Sequence, residues 1–148
     1  MTGKCQNLKF GFTAAATSAD TECSSDGERY AQMLTDCKLG FELGYDCAWV
    51  LEHHFTDYFP TPSPIVVMSH LAAAFPGLSL GSCVLYNPLR LAEEISMLSH
   101  FCKGDLHLAF GRGTAKIEYD AYDIDMSSAK ERFKEAIKII NQALLGEP

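Results

Sequence analysis

The stretch that decides the fold is residues 47–85, CAWVLEHHFTDYFPTPSPIVVMSHLAAAFPGLSLGSCVL. Two short apolar runs, Cys47–Leu51 and Leu78–Leu85, predict strands, and the continuous apolar segment Ile65–Phe75 between them predicts a helix. Pro64 suits the first position of that helix, where its missing N–H costs nothing, and a Pro-Gly pair ends it. Strand, helix and strand in this order predict two parallel strands joined by a crossover helix. A helix that is apolar on nearly every side must be covered on two faces.

The same alternation extends to both sides of this stretch. Two further strands are predicted at Leu8–Ala15 and Leu106–Phe110, and a long polar loop is expected over Gly111–Asp125. Three further helices are predicted from apolar residues that repeat along one helical face: Tyr30, Leu34, Cys37 and Phe41; Leu91, Ile95, Leu98 and Cys102; and Phe133, Ile137, Ile140 and Leu144. Capping signals precede these helices at Ser25 with Glu28, Asn87 with Pro88, and Ser128 with Glu131. Their predicted ends are Gly44, Gly104 and Gly146.

The order β-α-β-α-β-α-β-α predicts a parallel sheet with helices packed outside it. Two architectures satisfy this order: a small doubly wound sheet, and part of a (β/α)8 barrel, which has about 250 residues when complete. The length of 148 residues favours the small sheet. The first strand is not followed by a phosphate-binding G-x-G-x-x-G, which disfavours a dinucleotide-binding sheet. In both architectures the chemistry lies at the carboxyl ends of the strands.

Composition excludes several classes of function. The net charge is −7 and basic residues do not cluster, which argues against a nucleic-acid or anionic-membrane partner. No apolar run approaches the roughly 18 residues of a membrane span, and the N-terminus has no apolar signal core. The 6 cysteines form no C-x-x-C pair, so we expect free thiols in a reducing cytoplasm.

Polar residues follow the second strand, in Glu52-His53-His54. A histidine titrates near neutrality, which suits proton transfer or stabilisation of a charged intermediate. Metal binding is disfavoured, because neighbours in sequence rarely point to one centre and the chain has no H-x-x-x-H. Simple hydrogen bonding within a loop is the remaining interpretation. The acidic stretch Glu118–Asp125 lacks the spacing of a calcium-binding loop, so no function is assigned to it.

Small residues and an arginine follow the next two strands. Gly81 to Val84 would let a flat ligand approach the backbone after the third strand, although core packing explains the same residues. Arg112, between Gly111 and Gly113, follows the fourth strand. Its guanidinium could bind a phosphate through two hydrogen bonds, or it could lie in a surface turn.

Taken together, the sequence resembles the bacterial luciferase-like family of flavin-dependent monooxygenases. Four segments carry the resemblance, in the family's order and on the expected elements: Trp49–Phe55, Pro64–Ala72, Asn87–Glu94 and Phe110–Thr114. The match extends from about Leu8 to Leu145.

This resemblance implies a (β/α)8 barrel of which residues 1–148 are a single partial domain, the N-terminal half with four βα units. It implies a fragment that is not active alone. The cofactor implied is reduced FMN, or a deazaflavin in some branches. In the monooxygenase branch, oxygen and the reduced flavin together oxidise a small organic substrate such as an aldehyde. The second and third helices resemble the family's homo- or heterodimer interface.

The resemblance also implies roles for individual residues. His53 would lie beside the flavin ring and stabilise an oxygenated intermediate or move a proton. Arg112, with Gly111, would contact the flavin phosphate, and Lys130 stands where many members have an arginine near that phosphate. Ser82 leads into Cys83-Val84, the site of a non-proline cis peptide under the flavin ring; such a bond costs roughly 3–4 kcal/mol. The chain is shorter than the family pattern between Val84 and Asn87.

Two alternatives remain open. A deazaflavin-dependent reductase or dehydrogenase on the same barrel would transfer hydride and need no oxygen. A non-catalytic interaction module would use the edges of the half barrel or the apolar second helix, and two copies could complete one barrel.

Overall fold

The computed structural model describes residues 8–17, 25–82 and 87–146. Four strands are present within these ranges: β1 Gly11–Ala14, β2 Cys47–Val50, β3 Ser79–Ser82 and β4 Leu106–Leu108. Five α-helices accompany them: α1 Asp26–Glu42, α2 Pro64–Ala74, α3 Pro88–Ser99, α4 Lys116–Ala121 and α5 Ala129–Leu145. All four predicted strands are confirmed, and β1, β2 and β4 are shorter than predicted. The predicted continuation of β3 to Leu85 lies outside the described residues.

The strands form one parallel sheet in the order β1-β2-β3-β4. Thr13 is paired with Trp49, and Trp49 with Gly81, which in turn is paired with His107. A doubly wound sheet reverses its strand order at a switch point, whereas consecutive units of a (β/α)8 barrel follow one another around the sheet. The order therefore confirms the barrel-type fold over the small doubly wound sheet.

One face of the sheet packs against the helices. Successive side chains of a strand point to opposite faces, so Ala48 and Val50 lie on the helix side and Trp49 lies on the other side. The core between sheet and helices consists of buried aliphatic side chains, including Ala14, Ala48, Val50, Leu80, Met68, Leu71, Leu91, Ile95 and Leu98. This core holds the four strands in the register that places their carboxyl ends at one edge.

Trp49 lies flat across the face that would line the barrel. A Cβ atom on Gly81 would be 2.4 Å from Cε3 of Trp49, and one on Gly11 would be 2.8 Å from its Nε1. The His107 ring is also close, with its centroid 6.1 Å from that of the indole. Two glycines thus provide the space that the indole occupies.

Helix α1 begins as predicted, and three of the four residues predicted on its core face, Tyr30, Leu34 and Cys37, pack in or against the core. Ser25 accepts from the backbone N–H of Glu28, and the Glu28 side chain accepts from the backbone N–H of Ser25, which confirms the first capping box. Its buried residues are Met33, Cys37 and Gly40, whereas Phe41 is 40% exposed. Phe41 is therefore the exception on the predicted face. The reason is the Phe12 ring of β1, which lies so close over Gly40 that a Cβ there would be 2.5 Å away.

Helix α2 begins at Pro64, as predicted, and its described contacts cover one face. Ile65, Met68 and Leu71 are buried, whereas Val66 is 68% exposed. The expectation that a second face is covered stays a prediction.

Helix α3 confirms its predicted start and corrects its predicted end. The Asn87 side chain accepts from the backbone N–H groups of Leu89 and Arg90, at 3.1 and 3.2 Å. The helix ends at Ser99 rather than at Gly104. The Leu98 carbonyl accepts from the backbone N–H groups of the residues three and four positions later, so the chain turns away from the helix axis after Ser99. Cys102 therefore packs against the core from beyond the helix.

Two predictions for the segment after β4 are wrong. The expected long polar loop over Gly111–Asp125 contains helix α4, in which Glu118 and Tyr119 are buried. The expected capping box at Ser128 is absent, because the Ser128 side chain makes no capping bond. Asp125 instead accepts from the backbone N–H of Ser127 at 2.9 Å and caps a 3-10 turn that leads into α5.

The cysteines in the described ranges, Cys37, Cys47 and Cys102, are free thiols, as expected. Burial, with Asp36 nearby, raises the pKa of Cys37 from 9.0 to about 11. Burial, with Asp46 and Cys102 nearby, raises the pKa of Cys47 to about 11. Among the helices of the described ranges, none is long and apolar enough to cross a membrane.

Candidate functional site

Two loops meet at the carboxyl edge of the sheet. The first follows β2 and contains the two histidines, and the second follows β4 and contains Arg112 and helix α4. The carboxyl ends of parallel strands face the same edge, so residues far apart in sequence come together there.

His53 is paired with a buried carboxylate from the second loop. Its Nδ1 lies 3.2 Å from Oε1 of Glu118, and the same oxygen accepts from the backbone N–H of His54 at 3.0 Å. The His53 side chain is 35% exposed, whereas that of Glu118 is 7% exposed. His53 therefore has one ring edge held by the protein and one available to a ligand.

His54 is buried in a network of its own. Its Nε2 lies 2.7 Å from Oε1 of Glu52, and its Nδ1 lies 3.0 Å from the Tyr122 hydroxyl. The Glu52 carboxylate only accepts, so Nε2–H donates to it, and Nδ1 of a neutral His54 ring accepts from the Tyr122 hydroxyl. Burial, and then the charges of Glu52 and Glu118, raise the pKa of that hydroxyl. Both ring nitrogens of His54 are thus engaged within the protein, which separates the structural histidine of the pair from the accessible one.

The loop that carries both histidines is tied to helix α1. The backbone N–H of His53 donates to the Thr61 carbonyl at 3.1 Å. From α1, Arg29 donates to the Asp57 carbonyl and the Tyr30 hydroxyl donates to the Pro60 carbonyl. These bonds fix the path of the backbone, which is what a precisely placed side chain requires.

A cavity of about 190 Å³ lies between the second loop and helix α5. Gly111 and Arg112 line it from the loop, and Arg132 lines it from α5. Within the described ranges neither arginine forms an ion pair, although Glu135 also lines the cavity. Apolar side chains form much of its wall, including Leu91, Phe133, Ile137 and Ile140.

The residues singled out from the sequence fall in three places. His53 pairs with Glu118, and Gly111 and Arg112 line the cavity. Lys130 is exposed on α5 and is not among the lining residues. Ser82 ends β3, where it is paired with Val50 and Leu108. Cys83, Val84 and the peptide bond between them lie outside the described residues.

Sequence reasoning missed Glu118, Tyr122 and Arg132. Glu118 lies on α4 and Tyr122 is its C-cap residue, four positions later, a spacing that brings the two side chains to the same side of the segment. That spacing was the available signal, but it was hidden in a segment interpreted as loop. Arg132 lies on the first turns of α5, two positions after Lys130, and nothing in the sequence alone distinguishes it from a surface arginine.

Residues 9–148 match the model of a known protein family described as luciferase-like monooxygenase. The chain belongs to this family. The alkanal monooxygenase alpha chain of Photorhabdus luminescens is 26% identical over 111 residues, which are 72% of this chain and 31% of the relative. The match of this chain to the family model confirms the resemblance that the four sequence segments carry.

Solved structures of luciferase-like monooxygenases agree with the fold. Monooxygenase RslO1 from Streptomyces bottropensis is 27% identical, with a TM-score of 0.82 over 91% of this chain and 42% of that one. The oxygenating constituent of 3,6-diketocamphane monooxygenase from Pseudomonas putida, in complex with FMN, is 15% identical, with a TM-score of 0.77 over 90% of this chain and 38% of that one. The chain thus spans between about a third and two fifths of the length of these three proteins.

Proposed function

We propose that this chain forms the flavin-side part of a monooxygenase that uses reduced FMN and oxygen to oxidise a small organic substrate such as an aldehyde. Family membership supports the reaction class, and the relative named as an alkanal monooxygenase supports the substrate class. The observation that carries the proposal is the pair of arginines, Arg112 and Arg132, at the same sheet edge as His53.

The two arginines fit an anionic group such as the FMN phosphate. Guanidinium groups bind phosphate through paired, charge-assisted hydrogen bonds, and neither arginine is neutralised by an ion pair in the described part of the chain. A Cβ on Gly111 would have no neighbour within 4 Å, so the backbone there is open to a ligand. Arg112 and Arg132 would hold the phosphate, with Gly111 leaving room and Lys130 adding charge from farther away.

When bound and reduced, FMN supplies the electrons that activate oxygen. His53 would accept or return a proton at Nε2, the ring nitrogen that Glu118 does not hold. Trp49 presents a flat apolar surface on the barrel side, which limits water there. Ser82, Cys83 and Val84 are proposed to pass under the flavin ring.

The test is FMN binding by the purified chain, oxidised and anaerobically reduced, measured by calorimetry. Arg112→Ala and Arg132→Ala should each weaken binding about 10- to 100-fold, because a charge-assisted hydrogen bond contributes about 1.5–3 kcal/mol. Arg90→Ala is the matched control, since Arg90 is exposed on α3 and paired with Glu94. Binding that is equal in all variants would contradict the phosphate assignment. Conversion of the aldehyde to its acid with reduced FMN and oxygen, above that in a flavin-only control, distinguishes this reaction from the hydride transfer of a deazaflavin-dependent reductase.

We also propose that the chain dimerises through α2 and α3 in a reducing, cytoplasmic setting. Large apolar side chains on both helices support a dimer, since Val66 is 68% exposed and Leu89 and Met97 are each 58% exposed. Free thiols at Cys37, Cys47 and Cys102 support the reducing setting. Val66→Glu should convert a dimer to a monomer in sedimentation velocity, and a wild-type chain that sediments as a monomer would contradict the proposal.

A further inference from the structure

We infer that Glu118 is the positioning residue for His53, holding it as the tautomer with a proton on Nδ1 and a free lone pair on Nε2. The catalytic meaning of this tautomer rests on the proposed function, but the tautomer itself does not. Glu118 lies on α4, a helix that the sequence motifs of the site do not include.

The hydrogen bonds at one oxygen decide the direction of proton donation. Oε1 of Glu118 accepts from the backbone N–H of His54 at 3.0 Å, and a backbone N–H can only donate. The Nδ1 atom of His53 approaches that same oxygen at 3.2 Å. Because a carboxylate only accepts, Nδ1 must carry the proton. Neutral His53 then has its acceptor at Nε2, on the ring edge that is open to a ligand.

Burial makes this contact specific. The Glu118 side chain is 7% exposed, and a buried carboxylate is retained only where it is hydrogen-bonded. Within residues 8–17, 25–82 and 87–146, two aromatic rings of its own loop also lie near His53, with the centroid of Phe59 at 5.1 Å and that of Tyr58 at 6.0 Å. Tyr58 is the one titratable group of that pair. The carboxylate of α4 is therefore the partner in a position to set the protonation pattern of the ring.

Helix α4 links this contact to the arginine loop. The Tyr119 hydroxyl donates to the Arg112 carbonyl, and Tyr122 donates to His54 from one turn beyond Glu118. Three side chains of one short helix thus hold the backbone of Arg112 and both histidines. Docking of α4 would place the proposed phosphate ligand and the proposed proton-transfer group relative to each other.

The test is the tautomeric state of His53 by long-range ¹H–¹⁵N correlation NMR on the uniformly labelled full chain, at a pH where the imidazole is neutral. Wild type should show the tautomer with the proton on Nδ1. Glu118→Leu removes the acceptor oxygen while roughly keeping the side-chain volume, and should move His53 toward the Nε2–H tautomer. Tyr122→Phe is the matched control, because it removes the partner of His54 on the same helix and should leave His53 unchanged.

Each outcome is decisive. A His53 that carries its proton on Nε2 in wild type would overturn the inference, and this measurement needs no variant to fold. A tautomer that is unaltered in a folded Glu118→Leu chain would also overturn it. A shift in Tyr122→Phe equal to that in Glu118→Leu would mean that the segment acts as a whole, and would overturn the assignment to Glu118.

A second measurement connects the tautomer to the proposed reaction. With reduced FMN, oxygen and an aldehyde, Glu118→Leu should lower kcat on the order of 100-fold, since general acid–base catalysis by a positioned side chain contributes about 10²- to 10⁴-fold. FMN affinity should stay unchanged. A wild-type chain that does not convert the aldehyde above the flavin-only control would count against the proposed function alone, since the NMR result does not depend on turnover.

Discussion

The backbone of Thr61 holds the loop of the two histidines in place, whereas its side-chain hydroxyl has no hydrogen-bond partner among the described residues. The Thr61 carbonyl accepts from the backbone N–H of His53, and the residue is 1% exposed. Its Oγ1 is buried with no hydrogen bond among the described residues. Thr56, on the same loop, differs because its hydroxyl donates to the Phe59 carbonyl at 3.3 Å.

This contrast predicts opposite effects of one chemical change. Thr61→Val should raise the free energy of unfolding by about 1 kcal/mol, because an unpaired buried hydroxyl costs about 1–3 kcal/mol. Thr56→Val should lower it by about 1 kcal/mol, because a hydrogen bond is lost. Urea denaturation of both variants measures the two effects, and a destabilised Thr61→Val chain would mean that the hydroxyl has a partner.

For each contact within the site, the sequence predicts one of the two residues that meet. His53 and Arg112 follow strands, and the carboxyl ends of strands are where such side chains act, so both were found. Glu118 and Arg132 could not be found in this way. The sequence separation between His53 and Glu118 is 65, and their contact depends on how β2 and β4 are brought to one edge.

Helix α4 ends in a Schellman motif around a residue that is not glycine. Asp123 has φ of 53°, in the left-handed region. The N–H of Ile124 donates to the Tyr119 carbonyl at 2.9 Å, and the N–H of Asp123 donates to the Asp120 carbonyl at 3.3 Å. A left-handed residue with a side chain stores strain at the end of the helix that holds the histidines.

Asp123→Gly should therefore stabilise the chain by about 0.5–1 kcal/mol, since glycine adopts this conformation without a steric cost. Asp123→Ala should destabilise it, because alanine has neither the freedom of glycine nor the tolerance of aspartate for this region. Thermal unfolding of the two variants measures the difference. Equal melting temperatures would mean that the left-handed turn does not limit stability.

The sheet offers a second test among its elements. Gly81→Val should lower the free energy of unfolding by about 1–3 kcal/mol, because the new side chain would overlap Trp49. Gly111→Ala is the matched control, since nothing lies within 4 Å of its added Cβ, and it should stay within about 0.5 kcal/mol of wild type. A well-tolerated Gly81→Val would mean that the indole can move away.

The length of a helix decides whether the sequence could predict it. α3 was found because Asn87 and Pro88 mark its start and its buried residues repeat along one face. α4 spans Lys116–Ala121, too short for a repeat, and its N-cap residue Ala115 makes no side-chain capping bond. It also buries a glutamate, which is the opposite of what a hydrophobic pattern detects.

The molecule as a whole should lose stability in alkaline solution. Cys37 and Cys47 both have a pKa raised from 9.0 to about 11 in the folded chain. A raised folded-state pKa contributes stability that is complete below pH 9.0 and is lost as the pH rises to about 11. Urea denaturation across this window should show a decline that is smaller in Cys37→Ala with Cys47→Ala. An identical slope in the double variant would assign the decline to other groups.

At the scale of the whole molecule, the pattern of elements and the family resemblance predict different amounts of the fold. Alternating strands and helices predict a parallel sheet, and the length of 148 taken alone favoured the smaller of two folds, whereas the resemblance of four segments to a known family predicted the barrel. In the structure, the sequential pairing of β1, β2, β3 and β4 separates a barrel segment from a doubly wound sheet. Strand pairing is a long-range property, so periodicity along the chain does not contain it.

Because of where Trp49 lies, the intrinsic fluorescence of the chain can report on ligand binding. It is the 1 tryptophan of the sequence, and its indole lies against Gly11, Gly81 and His107 on the barrel side of the sheet. Its fluorescence therefore reports on the face of the sheet beside which the proposed flavin ring would lie. Quenching and energy transfer to a yellow chromophore can be followed during a titration without any attached dye, and each variant above can be compared by the same signal.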